Sequence, residues 1–409
     1  MDLQLQKSNL KSGETITISG SKSESNRLLI LKQIFPELEI ENLSNSDDSV
    51  HLEHALTTSD ETVDIGHAGT AMRFLTGFFS AQEGKTKIVK GSERMHNRPI
   101  GILVDALRDL GADISYIEKD GYPPIKINGK KLTKDKVSIN GNVSSQYISS
   151  LMLTAPSLAN GLEINLVGKI TSIPYIKMTL TLLHQLGIEA SFEGSTIKVE
   201  PKESIGSKKA LVEADWSSAS YYYSLIALAE VGTEVTLTAY KEESLQGDSC
   251  LIDIYKHFGV SSTFDGNAIT LKKEKEHNTN TLELDLKNAP DIAQTIAVTC
   301  FGLGIACDLS GLHTLKIKET DRLEALKAEL TKLGASIDVT NETLHLQAST
   351  NIVENVDIAT YNDHRMAMAF APLSLKTTIN IIDAEVVTKS YRYFWEDFQK
   401  VGIKQVTIK

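Results

Sequence analysis

"RLEALKAELTKLGASIDVTNETLHL", residues 322–346, decides the fold. Its first half places apolar residues at helical spacing and ends on Leu-Gly, where Gly334 offers the left-handed residue that stops a helix. The second half reads as strand, turn, strand. The segment therefore predicts an amphipathic helix followed by a hairpin.

The same order recurs along the chain. "ILVDALRDLGADISYIEKDGYPPIKI" from Ile102, "MTLTLLHQLGIEASFEGSTIKV" from Met178 and "LIDIYKHFGVSSTFDGNAITL" from Leu251 each pass through Leu-Gly or Phe-Gly to two strands. "YRYFWEDFQKVGIKQVTIK" closes the chain around Gly402. Gly111, Gly187, Gly259, Gly334 and Gly402 recur roughly every 70–75 residues, too far apart for a solenoid and right for a small α/β unit. "SVHLEHALTTSDETVDIG", from Ser49, supplies a sixth helix without the Leu-Gly or the hairpin and reads as a truncated first unit. The expected fold class is mixed α/β (α+β): two domains, each of three repeated α/β units, with helices packed inside and sheets outside. Chance similarity among amphipathic helix–strand units is the alternative.

At 409 residues the chain exceeds what one ordinary core organises, which agrees with two domains. A net charge of −11 argues against a nucleic-acid surface, so any anion site must be a local basic cluster working against the overall field. Cys250, Cys300 and Cys307 have no metal-ligand spacing, and an odd number makes no disulfide framework. "MDLQLQKSNL" is no apolar signal region, and the longest apolar stretch, around residues 295–307, is shorter than a membrane span. A soluble cytoplasmic protein is expected.

Basic residues gather where helices begin. "SGSKSESNRLLILKQIF" contains a capping box, Ser21 with Glu24, which puts Lys22 and Ser23 in the first turn and Arg27 one turn beyond on the same face. "GHAGTAMRFLTGFF" opens a helix at Gly69 and Thr70 with Arg73 in its first turn, and "KETDRLEALKAEL" repeats the arrangement with Lys318, Glu319 and Arg322. "YNDHRMAMAF" sets His364 and Arg365 at the start of an apolar helix, the end whose dipole disfavours cations, so a negative group is expected there. "VSSQYISSLML" offers Ser144, Ser145 and Gln146 as uncharged donors. Any one of these reads equally as a surface cation or a capping hydroxyl. Together, in an acidic chain, they point to a cleft that holds more than one anionic group.

Two carboxylates belong to the same set. Asp291, after Pro290 in "NAPDIAQTIAV", is either an acid stabilising the first turn of a Pro-started helix or a proton-transfer group. Glu319, between Lys318 and Arg322, is either an ion-pair partner or a proton-transfer carboxylate. "GSKS" lacks the glycine spacing of a P-loop, and no G-x-G-x-x-G follows a strand, so nucleotide folds have no support.

Taken in order, "GSKSESNR", "AGTAMR", "NRPIGILVDALR", "SSQ", "SIPYI", "SSASYY", "QGD", "APDIA", "KETDRL" and "YNDHRMAMAF" span nearly the whole chain. In that order they resemble the 5-enolpyruvylshikimate-3-phosphate synthases, the enolpyruvyl transferases of the shikimate pathway. "KETDR" with "NDHRMAM" is the specific pair. The resemblance implies the enolpyruvyl transferase fold, with its active site in the interdomain cleft. One discontinuous domain, residues 1–19 and 214–409, would carry Asp291, Glu319, Arg322, Arg365 and Lys389. An inserted domain, residues 20–213, would carry Lys22, Arg27, Arg98 and Ser144 to Gln146.

The resemblance also implies roles. Shikimate 3-phosphate would be held by Lys22, Ser23, Arg27, Ser144, Ser145, Gln146, Ser172, Asp291 and Lys318. Phosphoenolpyruvate would lie against Lys22, Gly69, Arg98, Gln146, Arg322, Arg365 and Lys389. Asp291 would accept the proton of the attacking hydroxyl, Glu319 would donate one to phosphoenolpyruvate, and Lys22 would bridge both substrates. No metal, organic cofactor, nucleic acid or membrane is implied, and a cytoplasmic monomer serving chorismate and aromatic amino-acid synthesis is expected. Two positions depart from the family pattern: His67 stands where asparagine is usual, and Thr314 where a polar amide or ring is usual. The rival readings are the sister transferase acting on UDP-N-acetylglucosamine, whose cysteine-bearing glycine-rich loop has no counterpart here, and a non-catalytic anion binder on the same scaffold.

Overall fold

The computed structural model describes residues 1–170, 173–318 and 320–409. The chain forms two compact units, Gly20–Val212 and Met1–Ser19 with Glu213–Lys409.

In the unit Gly20–Val212 the helices are α1 (Lys22–Ile34), α2 (Asp47–Thr57), α3 (Gly69–Ser80), α4 (Glu93–His96), α5 (Gly101–Asp109), α6 (Ser145–Thr154) and α7 (Ile173–Gln185). Two of its sheets share one four-stranded plan. Thr62–Asp64 runs parallel to Thr86–Lys90 with α3 as the crossover. Helix α5 then leads into the hairpin Asp113–Tyr116/Ile125–Asn128, whose second strand pairs antiparallel with Thr86–Lys90. Lys136–Asn140, α6, Leu162–Val167, α7 and the hairpin Ala190–Glu193/Thr196–Val199 repeat it. The third sheet has two strands, Leu38–Glu41 parallel to Lys208–Leu211. Its α2 passes directly to Thr62 without a hairpin, which is the truncation read from the sequence.

The other unit contains α8 (Trp216–Leu228), α9 (Leu251–Lys256), α10 (Ala293–Leu303), α11 (Arg322–Lys332), α12 (His364–Phe370) and α13 (Phe394–Lys400). Three four-stranded sheets follow the same plan. Glu14–Thr17 pairs with Glu234–Thr238, Thr281–Asp285 with Ala306–Ser310, and Val356–Ile358 with Ile379–Ile381, each in parallel. The last sheet is completed by the start of the chain: Leu3–Leu5 lies between Ile379–Ile381 and Gln405–Thr407.

Burial follows residue pattern. Every residue of α8 is buried, and α3, α6 and α10 are buried on nearly all sides, as helices apolar around their circumference must be. Strands such as Thr86–Lys90 alternate between buried and half-exposed positions, so each sheet gives one face to the helices. The repeat glycines Gly111, Gly187, Gly259, Gly334 and Gly402 all take positive φ, from 76° to 106°, where helix gives way to strand.

Two local expectations change. Ser21 stands at the N-cap of α1, but its side chain makes no capping hydrogen bond, so that half of the expected capping box is absent. Helix α11 begins at Arg322, because Asp321 caps it by accepting from the Glu324 N–H; Lys318 therefore lies in the preceding connection rather than in the first turn.

Candidate active site

In the unit that contains α8 to α13, three cations converge on one carboxylate. Asp291 sits in the short turn Pro290–Ile292 that leads into α10. Arg322, the first residue of α11, brings Nη1 to 2.9 Å from Asp291 Oδ1. Arg365, second in α12, places Nη2 3.2 Å from Asp291 Oδ2 and donates from Nη1 to the Asp291 carbonyl at 3.1 Å. Lys318 Nζ lies 3.5 Å from Asp291 Oδ1. Asp291 is thus both an acid at a helix start and the shared partner of a cation cluster.

The negative charge expected at the start of α12 comes from the protein itself. Asp363 is fully buried, caps α12 by accepting from the Arg365 N–H at 2.9 Å, and takes Arg322 Nε at 2.6 Å. A cap this short and charge-assisted offsets the cations beside it. Arg365 Nη2 also donates to Ser217 Oγ at 3.2 Å, and Ser217, near the start of α8, hydrogen-bonds the Asp248 carboxylate. Burial pushes Asp248 up to about 6, the Asp291 charge adds to the rise, and Arg365 opposes it. Burial disfavours the Arg365 charge, but Asp291, Asp248 and Asp215 together hold its guanidinium above the ordinary arginine range. Among the described residues its buried Nε–H has no hydrogen-bond partner. Lys389, at the end of the turn Ala384–Lys389, donates to the Asn362 carbonyl at 2.6 Å.

In the unit Gly20–Val212 the helix starts of α1, α3 and α6 carry the polar groups. Lys22, first in α1, lies 3.7 Å from Asp48. Arg27 is buried beside Phe74 and donates to Thr179 Oγ1 at 2.7 Å, Ser149 Oγ at 3.0 Å and the Ser23 carbonyl at 2.7 Å. These partners are neutral, and burial lowers Arg27 to about 10, so it stays charged at neutral pH. Gly69 opens α3 against two guanidinium groups: a Cβ there would fall 2.8 Å from Arg73 Nη1 and closer still to Arg98. No positive φ is involved; a side chain there would instead push the two guanidinium groups out of their places beside the start of α3. Arg73 donates to the Gly69 carbonyl at 2.8 Å. Arg98 is exposed. Ser144 caps α6 by accepting from the Gln146 N–H, Ser145 is buried, and Gln146 Nε2 reaches Thr70 Oγ1 at 3.0 Å, tying α6 to α3. His67 Nδ1 lies 2.8 Å from Ser92 Oγ, the cap of α4, so the residue that departs from the family pattern touches the turn that leads to Arg98.

Within each unit, then, Lys22, Ser23, Gly69, Ser144, Ser145, Gln146, Arg322 and Arg365 stand at helix starts, whereas Arg27, Arg98, Lys318 and Lys389 do not. Ser172 and Glu319 lie outside the described residues. Sequence reasoning gave no role to Ser217, Asp248 and Asp363, although the motifs "SSASYY", "QGD" and "YNDHRMAMAF" contain them. Asp363 also carried a local signal, as an aspartate immediately before a helix. Among the described residues no group of three or more His, Cys, Asp or Glu could hold a metal ion, and no helix is long and apolar enough to cross a membrane.

The family profile EPSP synthase (3-phosphoshikimate 1-carboxyvinyltransferase) matches residues 33–398. A 3-phosphoshikimate 1-carboxyvinyltransferase of Bacteroides fragilis is 42% identical over 393 residues, 95% of each chain. The chain belongs to the EPSP synthase family. A relative of the same description from Haemophilus influenzae is 35% identical over 425 aligned positions, covering 95% of this chain and 96% of its own. Among solved structures, an EPSP synthase from Acinetobacter baumannii matches with a TM-score of 0.82 at 20% identity, covering 99% of this chain and 100% of that one. The enolpyruvyl transferase NikO from Streptomyces tendae matches with a TM-score of 0.71 at 14% identity, covering 99% of this chain and 98% of its own. At those identities the two structures speak for the fold alone. As a member of the EPSP synthase family the chain is a transferase of the shikimate pathway, and neither the UDP-N-acetylglucosamine reading nor a non-catalytic role is favoured.

Proposed function

We propose that the chain transfers the enolpyruvyl group of phosphoenolpyruvate to the 5-hydroxyl of shikimate 3-phosphate and releases inorganic phosphate. The hydroxyl oxygen attacks C2 of phosphoenolpyruvate while C3 gains a proton; the adduct then loses phosphate from C2 and a proton from C3, which restores the enol ether. Both steps need a proton acceptor at the hydroxyl, a donor at C3 and fixed cations around phosphate and carboxylate.

The observation that carries this reading is Asp291 held between Arg322, Arg365 and Lys318. Anions that take over the two arginines release the carboxylate to accept the hydroxyl proton. Arg322, Arg365 and Lys389 would then hold phosphoenolpyruvate, with Lys22, Gly69, Arg98 and Gln146 of the other unit completing its site. Lys22, Ser23, Arg27, Ser144, Ser145, Gln146, Ser172, Asp291 and Lys318 would hold shikimate 3-phosphate. Buried Arg27, charged among neutral partners, is suited to a phosphate or a hydroxyl brought by a ligand. Glu319 is the proton donor to C3 and takes that proton role back in the elimination. The enzyme is cytoplasmic and works as a monomer.

Release of phosphate from phosphoenolpyruvate is the test, run with shikimate 3-phosphate and separately with UDP-N-acetylglucosamine. Release dependent on shikimate 3-phosphate alone is expected. Release only with the sugar nucleotide, or with neither acceptor, would overturn the assignment.

A further inference from the structure

Helix α11 carries a second buried charge that the reaction does not use. Glu329 is fully buried, two turns after Arg322 on the same face of the helix. Its Oε1 accepts from the Tyr361 hydroxyl at 2.6 Å and its Oε2 from the Ala359 N–H at 3.1 Å. Lys332, one turn on, donates to both oxygens at 2.8 and 2.7 Å and supplies the counter-charge. The carboxylate is therefore satisfied by one cation of its own helix and two donors of a distant segment.

That segment is the turn that delivers Arg365. Tyr361 and Asn362 both take left-handed φ, 54° and 57°, a conformation that asparagine enters readily but that a bulky residue such as Tyr361 keeps only where its surroundings enforce it. The contacts are visible. Glu329 holds the turn at Ala359 and Tyr361, Lys389 holds the Asn362 carbonyl, and Arg322 holds Asp363. Helix α11 thus grips the 359–363 turn at two points, Glu329 at its beginning and Arg322 at its end. Two of the three anchoring side chains, Arg322 and Lys389, are cations that the proposed function assigns to phosphoenolpyruvate. Of the three, Glu329 is the anchor that no ligand draws on.

We propose that Glu329 is a positioning residue for the phosphoenolpyruvate site, which latches the 359–363 turn through Tyr361 and Ala359 and so fixes Arg365 while Arg322 and Lys389 engage the ligand. The inference rests on the proposed function. It predicts a selective effect: the turn governs Arg365, whereas shikimate 3-phosphate is assigned chiefly to residues elsewhere.

The test is steady-state phosphate release by Tyr361→Phe, Glu329→Gln and the double variant, alongside the wild type, with each substrate varied. Tyr361 is 41% exposed, so removing its hydroxyl leaves the core intact and keeps the test available if Glu329→Gln folds poorly. Tyr361→Phe should raise KM for phosphoenolpyruvate roughly tenfold, the scale of a small misplacement of a binding group, with KM for shikimate 3-phosphate unchanged. Glu329→Gln should do at least as much, and the double variant should add little to it, because both substitutions break one latch. Wild-type KM for phosphoenolpyruvate in Tyr361→Phe overturns the latch while leaving the proposed function standing. Equal rises in both KM values also overturn it, since they mark a general structural loss. A wild type that releases no phosphate overturns the proposed function, and the latch with it.

Discussion

Replacing Asp291 by asparagine separates the three things that this carboxylate does. In the structure it neutralises Arg322 at 2.9 Å, Arg365 at 3.2 Å and Lys318 at 3.5 Å. The amide keeps the size and one acceptor oxygen but loses the charge. Arg322 is only 2% exposed, so it cannot turn to water for compensation, and loss of one buried charge-assisted hydrogen bond costs about 1.5–3 kcal/mol of stability. Loss of a general base lowers kcat roughly 10²- to 10⁴-fold, or about 2.7–5.4 kcal/mol of transition-state stabilisation. The effect on binding has the opposite sign. Asp291 competes with phosphoenolpyruvate for Arg322 and Arg365, so Asp291→Asn should leave KM for that substrate unchanged or lower it, while KM for shikimate 3-phosphate rises. Phosphate release with each substrate varied, beside a urea unfolding curve, reads all three. A kcat within threefold of wild type, or a large rise in KM for phosphoenolpyruvate at constant kcat, would refute the reasoning, because it would make Asp291 a spacer between arginines and no more.

Glu319→Gln keeps size and hydrogen bonding but cannot shuttle a proton, so kcat should fall roughly 10²-fold or more while equilibrium binding of both substrates persists; near-wild-type turnover would remove it from proton transfer. Asp248 should make stability pH-dependent. Its folded value, about 6, lies above the 3.8 of an ordinary aspartate, so the native state holds the proton more tightly and stability falls as pH rises between those values. Asp248→Asn lacks that penalty, so its melting temperature relative to wild type should climb from pH 4 to pH 7; a constant difference across that range would contradict the assignment.

Much of the fold was legible because its unit is local. Helix, left-handed glycine and hairpin follow one another within about 25 residues, so apolar spacing and turn chemistry expose each copy without knowledge of its partners. The closures were not legible. Leu3–Leu5 finds its place beside Gln405–Thr407, and Lys208–Leu211 pairs with Leu38–Glu41, across separations that no local pattern encodes. The site divides in the same way. The helix-start positions of Lys22, Gly69, Ser144, Arg322 and Arg365 were readable, since caps and first-turn residues are adjacent in sequence. Asp248 and Ser217 acquire meaning only through Arg365, which lies more than a hundred residues away. Glu329 in "KAELTK" reads as half of a surface pair with Lys332; only the packed turn at Ala359 and Tyr361 makes it buried and directional.

The charges explain how a chain of net charge −11 can keep an anion site. Arg322, Arg365, Lys318 and Lys389 gathered around short helix starts would repel one another and oppose the dipole of α12. Asp291, Asp363 and Asp248 stand among them as built-in counter-ions. On the proposed function, binding would be an exchange of anions rather than an addition, and a ligand would gain only what it offers beyond the carboxylate it displaces. Asp363 is fully buried and caps its helix, so it is the fixed counter-ion. Asp291, 19% exposed and held by two arginines and a lysine, would be the one that a ligand displaces. On the proposed function the surplus would come from Arg365, whose buried Nε–H has no hydrogen-bond partner among the described residues and would complete a planar two-point grip on an incoming phosphate or carboxylate. The same exchange would place a released carboxylate beside the newly bound electrophile, where a proton has to be taken, so that substrate binding and the arming of the base would be one event.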